Sequence, residues 1–246
     1  MRFAAIADIH GNHLALEAVL ADIRAQGIEE IVNLGDFFSG PLEAGRTAEI
    51  LMPLGLTSVR GNHDRYLIER APDAMHLSDA AAYRQLTPSH LDWLRSLPFD
   101  TVYRGEAYLC HATPKDDNLY WLESVSPQGQ VFLKPIEAIE ALAEGSDLPL
   151  ILCGHSHVPR AVRLSDGRLI VNPGSVGCPA YDDDLPHYHK VEAGHPLAGY
   201  AILEKTGAGW TWQFRSVAYD NLAMSRLAAE NRRPEWASAL ETGWLR

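Results

Sequence analysis

Five places in this 246-residue chain set metal-competent side chains at the end of a short apolar run. They are Asp8-Ile9-His10, Gly35-Asp36, Gly61-Asn62-His63-Asp64, Cys110-His111 and Gly154-His155-Ser156-His157. In extended chain, residues i and i+2 point to the same side. Asp8 with His10 then form one two-ligand prong, and His155 with His157 another. Such residues lie ~6.5–7 Å apart along a strand, and the ions of a binuclear site lie about 3.5–4 Å apart. A His-x-His prong can therefore straddle an ion pair, one imidazole to each ion. The donors are carboxylate, imidazole and amide oxygen, without thiolate. That mixture suits borderline or harder divalent ions and argues against a structural zinc site. Asp36 has two oxygens and stands alone at its strand end, so it is the natural bridging carboxylate. Gly11, Gly35, Gly61 and Gly154 beside the donors allow sharp turns and close backbone approach. Taken singly, an Asp at a strand end commonly caps the next helix, and a His beside a strand commonly packs. Neither habit explains five strand ends that supply only metal-competent types.

The elements that must position these residues follow from apolar patterning. RFAAIAD (2–8), EEIVNLGD (29–36) and LTSVRGN (56–62) read as buried strands, with helical segments between them. The first helix carries Leu14, Leu16, Val19, Leu20 and Ile23, with Asn12 as N-cap and Gly27 as stop. The second, 43–52, is closed by Pro53. This alternation predicts α/β architecture, with ligands at the carboxyl ends of the strands. Residues 64–97 read as mainly helical, 100–111 and 161–172 as hairpins, and 135–144 as a helix. Strands are expected at 148–154, 198–204 and 211–217, and two helices split by Pro234 at 220–243. Segments 112–134 and 178–197 read as long irregular loops. No repeat or linker interrupts the chain.

The totals narrow the function classes. Apolar residues make up 46% of the chain, enough for a full core, and the formal net charge is −11. Such a charge repels a phosphate backbone, so general nucleic-acid binding is not expected. No apolar run approaches a membrane span and no secretory start is visible, so a soluble and, by default, cytoplasmic protein is expected. Cys110, Cys153 and Cys178 are odd in number and lack C-x-x-C spacing, so no disulfide framework is expected.

In order, D-x-H (8–10), G-D (35–36), G-N-H-D (61–64), His111 and G-H-x-H (154–157) resemble the motifs of the calcineurin-like metallophosphoesterases. HATPKD (111–116), VNPGSVG (171–177) and PEWASAL (234–240) resemble segments of its small prokaryotic branch. The resemblance implies a four-layer α/β/β/α sandwich with two mixed β-sheets. It implies a single domain over 1–246, with insertions at about 112–134 and 178–197 and a helical extension at about 218–246. It implies two divalent ions (Mn, Fe, Zn, Ni or Mg): one held by Asp8, His10, Asp36 and His157, the other by Asp36, Asn62, His111 and His155. His63 then corresponds to the family's catalytic histidine, with Asp64 orienting its ring.

The implied activity is hydrolysis of phosphodiesters or small phosphate esters by in-line attack of a metal-bridging hydroxide. Dinucleoside polyphosphate hydrolysis is the neighbouring alternative. A non-catalytic scaffold, as in a retromer subunit of this fold, is another, though such scaffolds lose the catalytic histidine that His63 retains. GDFFSGP (35–41) departs from the Asp-Arg-Gly of the Ser/Thr protein phosphatases, which places protein phosphatase activity in doubt. Ala112 and Thr113 replace the branch's usual glycine and serine. For substrate binding, Lys115 is a candidate phosphate contact and Tyr120 and Trp121 are candidate stacking residues, against ordinary exposure and packing. Asp182 to Asp184, His187, His189 and His195 are candidates for a further ion or for closure over substrate, against a solvated loop.

Overall fold

Alternate residues of the first strand, β1 (Arg2–Ile6), enter two different cores. Phe3 and Ala5 join one cluster with Val32, Leu109, Leu152, Val171 and Leu203. Ala4 and Ile6 join another with Leu16, Val19 and Ile23 of α1 (His13–Ala25). A strand buried on both faces needs apolar residues at both parities, which is why 2–8 reads as an unbroken run.

The computed structural model describes residues 1–246. After α1 come β2 (Ile31–Asn33), α2 (Ala44–Leu51), β3 (Thr57–Ser58), α3 (Asn62–Glu69), α4 (Leu77–Tyr83) and α5 (Pro88–Ser96). Then follow β4 (Asp100–Tyr103), β5 (Ala107–Cys110), β6 (Glu123–Val125), β7 (Val131–Leu133), α6 (Ile136–Leu142) and β8 (Leu150–Leu152). The chain continues through β9 (Arg160–Arg163), β10 (Leu169–Asn172), β11 (Ala180–Asp183) and β12 (His189–Glu192). It finishes with β13 (Ala198–Thr206), β14 (Gly209–Val217), α7 (Asn221–Glu230) and α8 (Pro234–Thr242).

Two five-stranded sheets form, in the orders β14-β13-β1-β2-β3 and β4-β5-β8-β10-β9. Both are mixed. β1, β2 and β3 run parallel with β13 antiparallel to β1, and β5, β8 and β10 run parallel with β4 and β9 antiparallel at the edges. The sheets pack face to face on the core that holds Phe3 and Leu152. α1 and α2 cover the outer face of the first sheet, and α6 covers that of the second. These are the α/β/β/α layers the resemblance implied. The parallel strands β1, β2, β5 and β8 all end at one edge, and the donor loops leave from that edge.

Two expectations are corrected. Only Thr57–Ser58 of the expected third strand pairs, because the chain leaves the sheet early and opens α3 with Gly61 as N-cap. The segments 112–134 and 178–197 are not irregular: each contains a two-stranded hairpin, β6–β7 and β11–β12. Strands of three or four residues such as ESV and AYDD are too short to show a period, so patterning missed them. In the extension, α7 and α8 close a small core of Leu42, Met224, Ala228 and Leu240, and Trp236 reaches the His10 ring, with centroids 6.0 Å apart.

Candidate active site

The donor residues do not sit in extended chain. Asp8, His10, Asp36, His155 and His157 have φ of 56°, 52°, 57°, 69° and 57°, in the left-handed region. This region is strained for residues with a Cβ, and such strain persists only where the surroundings over-determine it. Here the loops brace one another. Ile9 and His10 N–H groups donate to the Asp36 carbonyl at 2.9 and 3.1 Å, and Asp8 N–H donates to the Gly35 carbonyl at 3.0 Å. His155 N–H donates to Asp8 Oδ2 at 3.1 Å. Gly35 and Gly61 are required by closeness. A Cβ on Gly35, itself at φ 101°, would lie 2.5 Å from the Gly61 nitrogen, and one on Gly61 would lie 2.1 Å from Asp36 Oδ1. The same-side geometry argued from extended chain is therefore replaced by a set of left-handed turns.

The turns gather two donor groups. Asp8, His10 and His157 form one, and Asp36, His111 and His155 the other, each with its donor atoms within 4.8 Å of one another. The His-x-His pair does divide between the groups. Asn62 Oδ1 lies 3.0 Å from His111 Nε2 and so joins the second. Asp36 Oδ2 lies 3.4 Å from His111 Nε2 and 3.9 Å from His10 Nε2, so it faces both.

Each imidazole is aimed by a backbone carbonyl. Nδ1 of His10, His111 and His157 donates to the carbonyls of Ser39, Leu34 and Cys178 at 2.7, 2.7 and 2.9 Å. That leaves Nε2 of each ring directed into the site. His155 is reversed: its Nε2 meets the Asn118 carbonyl at 2.9 Å, which leaves Nδ1 as the donor.

The arrangement fits cations. Nε2 of His10 and of His157 face each other at 3.1 Å, and His111 Nε2 faces the Asn62 oxygen. Asp8 Oδ1 is buried without a hydrogen-bond partner. Lone pairs pointed at one another this closely need a positive charge between them. A proton can supply it. Burial works against a charged His111, but the Asp36 carboxylate overrides it and pushes His111 up to about 9. Burial likewise opposes a charged His157, and Asp8 holds it well above the ordinary histidine value. Burial, helped by the neighbouring charges of His157 and His111 respectively, pushes His10 and His155 down to about 4, so both rings are neutral. A divalent ion would feel the same carboxylate pull and displace those protons on binding.

His63 stands beside the first group, with its ring centroid 5.6 Å from that of His10. Its Nδ1 lies 2.7 Å from Asp79 Oδ1 and 3.2 Å from Ser39 Oγ. Burial disfavours the charged ring, but the Asp36 charge and the hydrogen bond to Asp79 prevail and push His63 up to about 9. The expected partner, Asp64, plays a different part. Its carboxylate accepts from the backbone N–H groups of Asp36, Phe37 and Gly61 at 2.8, 3.0 and 2.9 Å. One residue after His63 at a helix N-terminus, it faces the backbone amides and staples two donor loops together. Asp79, fully buried on α4, orients the ring, and Ser39 Oγ donates to it at 2.7 Å. Sequence reasoning missed both residues. The available signal was a carboxylate on the apolar face of α4, in register with buried Ala82.

The substrate-contact candidates separate. His10, Asp36, Asn62, His155 and His157, with His63, line a cleft of about 1060 Å³ whose walls also include Tyr66, Arg70, Tyr120, Tyr181 and Trp236, while Asp8 and His111 lie buried behind them. Tyr120 belongs to it: its ring lies 5.2 Å from that of His155, and its hydroxyl meets Tyr181 and His189. Trp121 does not. It is buried in the core under α6 and donates to the Ile139 carbonyl at 3.1 Å, because alternate residues of this segment face opposite ways. Lys115 is exposed and lies outside the cleft lining. His189 is a buried structural residue, held by the His187 carbonyl at 2.8 Å. Asp182 to Asp184, His187 and His195 are exposed and join neither donor group; Asp182 to Asp184 line the cleft wall, and His187 and His195 lie outside it. The β11–β12 hairpin instead brings Tyr181 over the His157 ring, with centroids 4.6 Å apart. The three cysteines are free and buried, and no helix is long and apolar enough to cross a membrane.

Residues 1–193 match the profile of the calcineurin-like phosphoesterase superfamily domain, and the chain belongs to that superfamily. A metallophosphoesterase from Sphaerobacter thermophilus is similar throughout: TM-score 0.76, 28% identity, covering 99% of this chain and 100% of that one. An uncharacterised protein of Methanocaldococcus jannaschii is 28% identical over 95% of this chain and 94% of its own length.

Proposed function

We propose that this protein is a dinuclear metal-dependent phosphoesterase acting on phosphodiesters or small phosphate esters. The observation that carries this reading is two adjacent donor groups with Asp36 facing both, beside a carboxylate-held histidine at the same cleft. Asp8, His10, Asp36 and His157 would hold one ion, and Asp36, Asn62, His111 and His155 the other. When bound, two such ions supply an acidified water and neutralise charge on the phosphoryl oxygens. The chain supplies the rest. The left-handed turns fix the donors before substrate arrives, so little reorganisation accompanies the reaction. Asp79 and Ser39 engage Nδ1 of His63, which leaves Nε2 toward the cleft. There it can stabilise a phosphoryl oxygen or give its proton to the departing alkoxide as the P–O bond breaks. Retention of this histidine favours the enzyme over a scaffold.

Two measurements test the reading. Purified protein supplied with Mn should hydrolyse an aryl phosphodiester or phosphomonoester, and exhaustive chelation should abolish the activity until metal is restored. Failure on every ester with every metal, or turnover that survives chelation, would refute it. A second expectation concerns Asp79. Asp79→Ala should lower kcat about tenfold to a hundredfold with both ions retained, because the ring loses its orienting anion. In a protein already carrying His63→Ala the same change should cost almost nothing more. Additive losses would mean that Asp79 acts elsewhere.

A further inference from the structure

The cleft contains three cationic side chains besides its histidines: Arg70, Lys134 and Arg233. Two are already engaged. Lys134 Nζ donates to the Tyr120 carbonyl, and Arg233 Nε to Glu235. Arg70 is different. Its guanidinium makes no side-chain hydrogen bond or ion pair and lies over the face of the Tyr66 ring, with Cζ 3.5 Å from the centroid. Its neighbour Arg65 shows the contrast: its fork is filled by Asp117 through two bonds of 2.7 Å.

The platform under Arg70 is itself fixed at both ends. The Tyr66 and His63 rings meet in a T-shape with centroids 5.5 Å apart. Its hydroxyl donates to Asn118, whose carbonyl in turn holds His155. A free fork of five donors is thus held one aromatic ring away from His63. Stacking restrains the guanidinium without using its in-plane N–H groups, which remain available to an oxyanion. The metal-facing donors are spent on the phosphoryl group being transferred, so an anion at Arg70 belongs to the other half of the substrate.

The geometry points to Arg70 as the binding site for an anionic group carried by the leaving portion of the substrate. This inference rests on the phosphoesterase reading and narrows its substrate class. The preferred substrates are phosphate esters or anhydrides whose leaving group bears its own oxyanion. That oxyanion has two possible sources: a further phosphate, as in a dinucleoside polyphosphate, or a carboxylate, as in a phosphorylated hydroxy acid.

The test compares kcat/KM for three substrates in the metal-loaded wild type, Arg70→Gln and Arg70→Lys. One is phenyl para-nitrophenyl phosphate. The second is its analogue with a meta carboxylate on the nitrophenyl ring, and the third is a dinucleoside tetraphosphate. Wild type should prefer at least one anionic leaving group over the neutral one. Arg70→Gln should cut that preference about tenfold to a hundredfold, the usual effect of losing a charge-assisted hydrogen bond. Arg70→Lys should recover part of it. The anionic substrate that suffers the larger loss identifies the source. Hydrolysis with a preference unchanged by Arg70→Gln, or with no preference in wild type, overturns the inference and leaves the phosphoesterase reading intact. Absence of hydrolysis of all three substrates by the metal-loaded wild type overturns both.

Discussion

Asp36→Asn is expected to yield a folded protein that retains fewer than two metal ions per chain and has lost on the order of a thousandfold or more in kcat. The two oxygens of Asp36 have separate partners. Oδ1 accepts from the backbone N–H of His63 at 3.0 Å and so anchors the start of α3. An asparagine oxygen can keep that bond, so the fold should survive. Oδ2 faces His111 and His10 from the donor group on either side. Burial by itself raises a carboxyl's pKa, yet the charges of His111 and His63 hold Asp36 well below the usual carboxylate range. It is therefore an anion when the site forms. Neutralising it removes the one charge shared by both ion positions. Metal neutralisation of transition-state charge amounts to several kcal/mol, and each 1.36 kcal/mol is tenfold in rate. Elemental analysis of the dialysed variant, together with its turnover, tests this. Two tightly held ions with normal turnover would show that Asp36 does not bridge.

His63→Ala should have the opposite profile: both ions retained, KM little changed, and kcat lower by about a hundredfold to ten-thousandfold. The ring lies outside both donor groups, so its removal takes no ligand away. What is lost is a held proton donor. The size of the loss should depend on the leaving group. An alkyl ester, whose alkoxide needs a proton to depart, should suffer most, whereas a nitrophenyl ester should suffer least because nitrophenolate leaves without help. Equal losses on both would assign His63 to stabilising the phosphoryl oxygens instead. An unchanged rate would remove it from the reaction altogether. The same comparison on Asp79→Ala should show the same leaving-group trend at smaller amplitude, since Asp79 acts only through the ring.

Much of this site is legible in residue types and order. Donor types at the ends of apolar runs are local facts, and the strand–helix alternation states which edge of the sheet they occupy. The structure brings Asp8, His10, Asp36, Asn62, His111, His155 and His157 together in space. Partnerships between distant segments were not legible. Asp64 and Asp79 are both buried carboxylates near His63, and only packing decides that the nearer one in sequence meets backbone amides while the farther one meets the ring. Tyr120 and Trp121 are adjacent aromatic residues, and the direction of one short segment sends the first to the cleft and the second to the core.

The amino-acid sequence by itself determined the α/β architecture, the place of the donors at the strand ends and the kind of ion they suit. Those depend on apolar periodicity and ligand chemistry, both carried within a few residues. The tertiary structure alone decided that five of the donors sit in left-handed turns, that Asp79 holds His63, and that Arg70, stacked on Tyr66, is the cationic group in the cleft without a side-chain hydrogen bond or ion pair. Each of these depends on which surfaces pack together, and side-chain partners across tens of residues are chosen by that packing rather than by any local pattern.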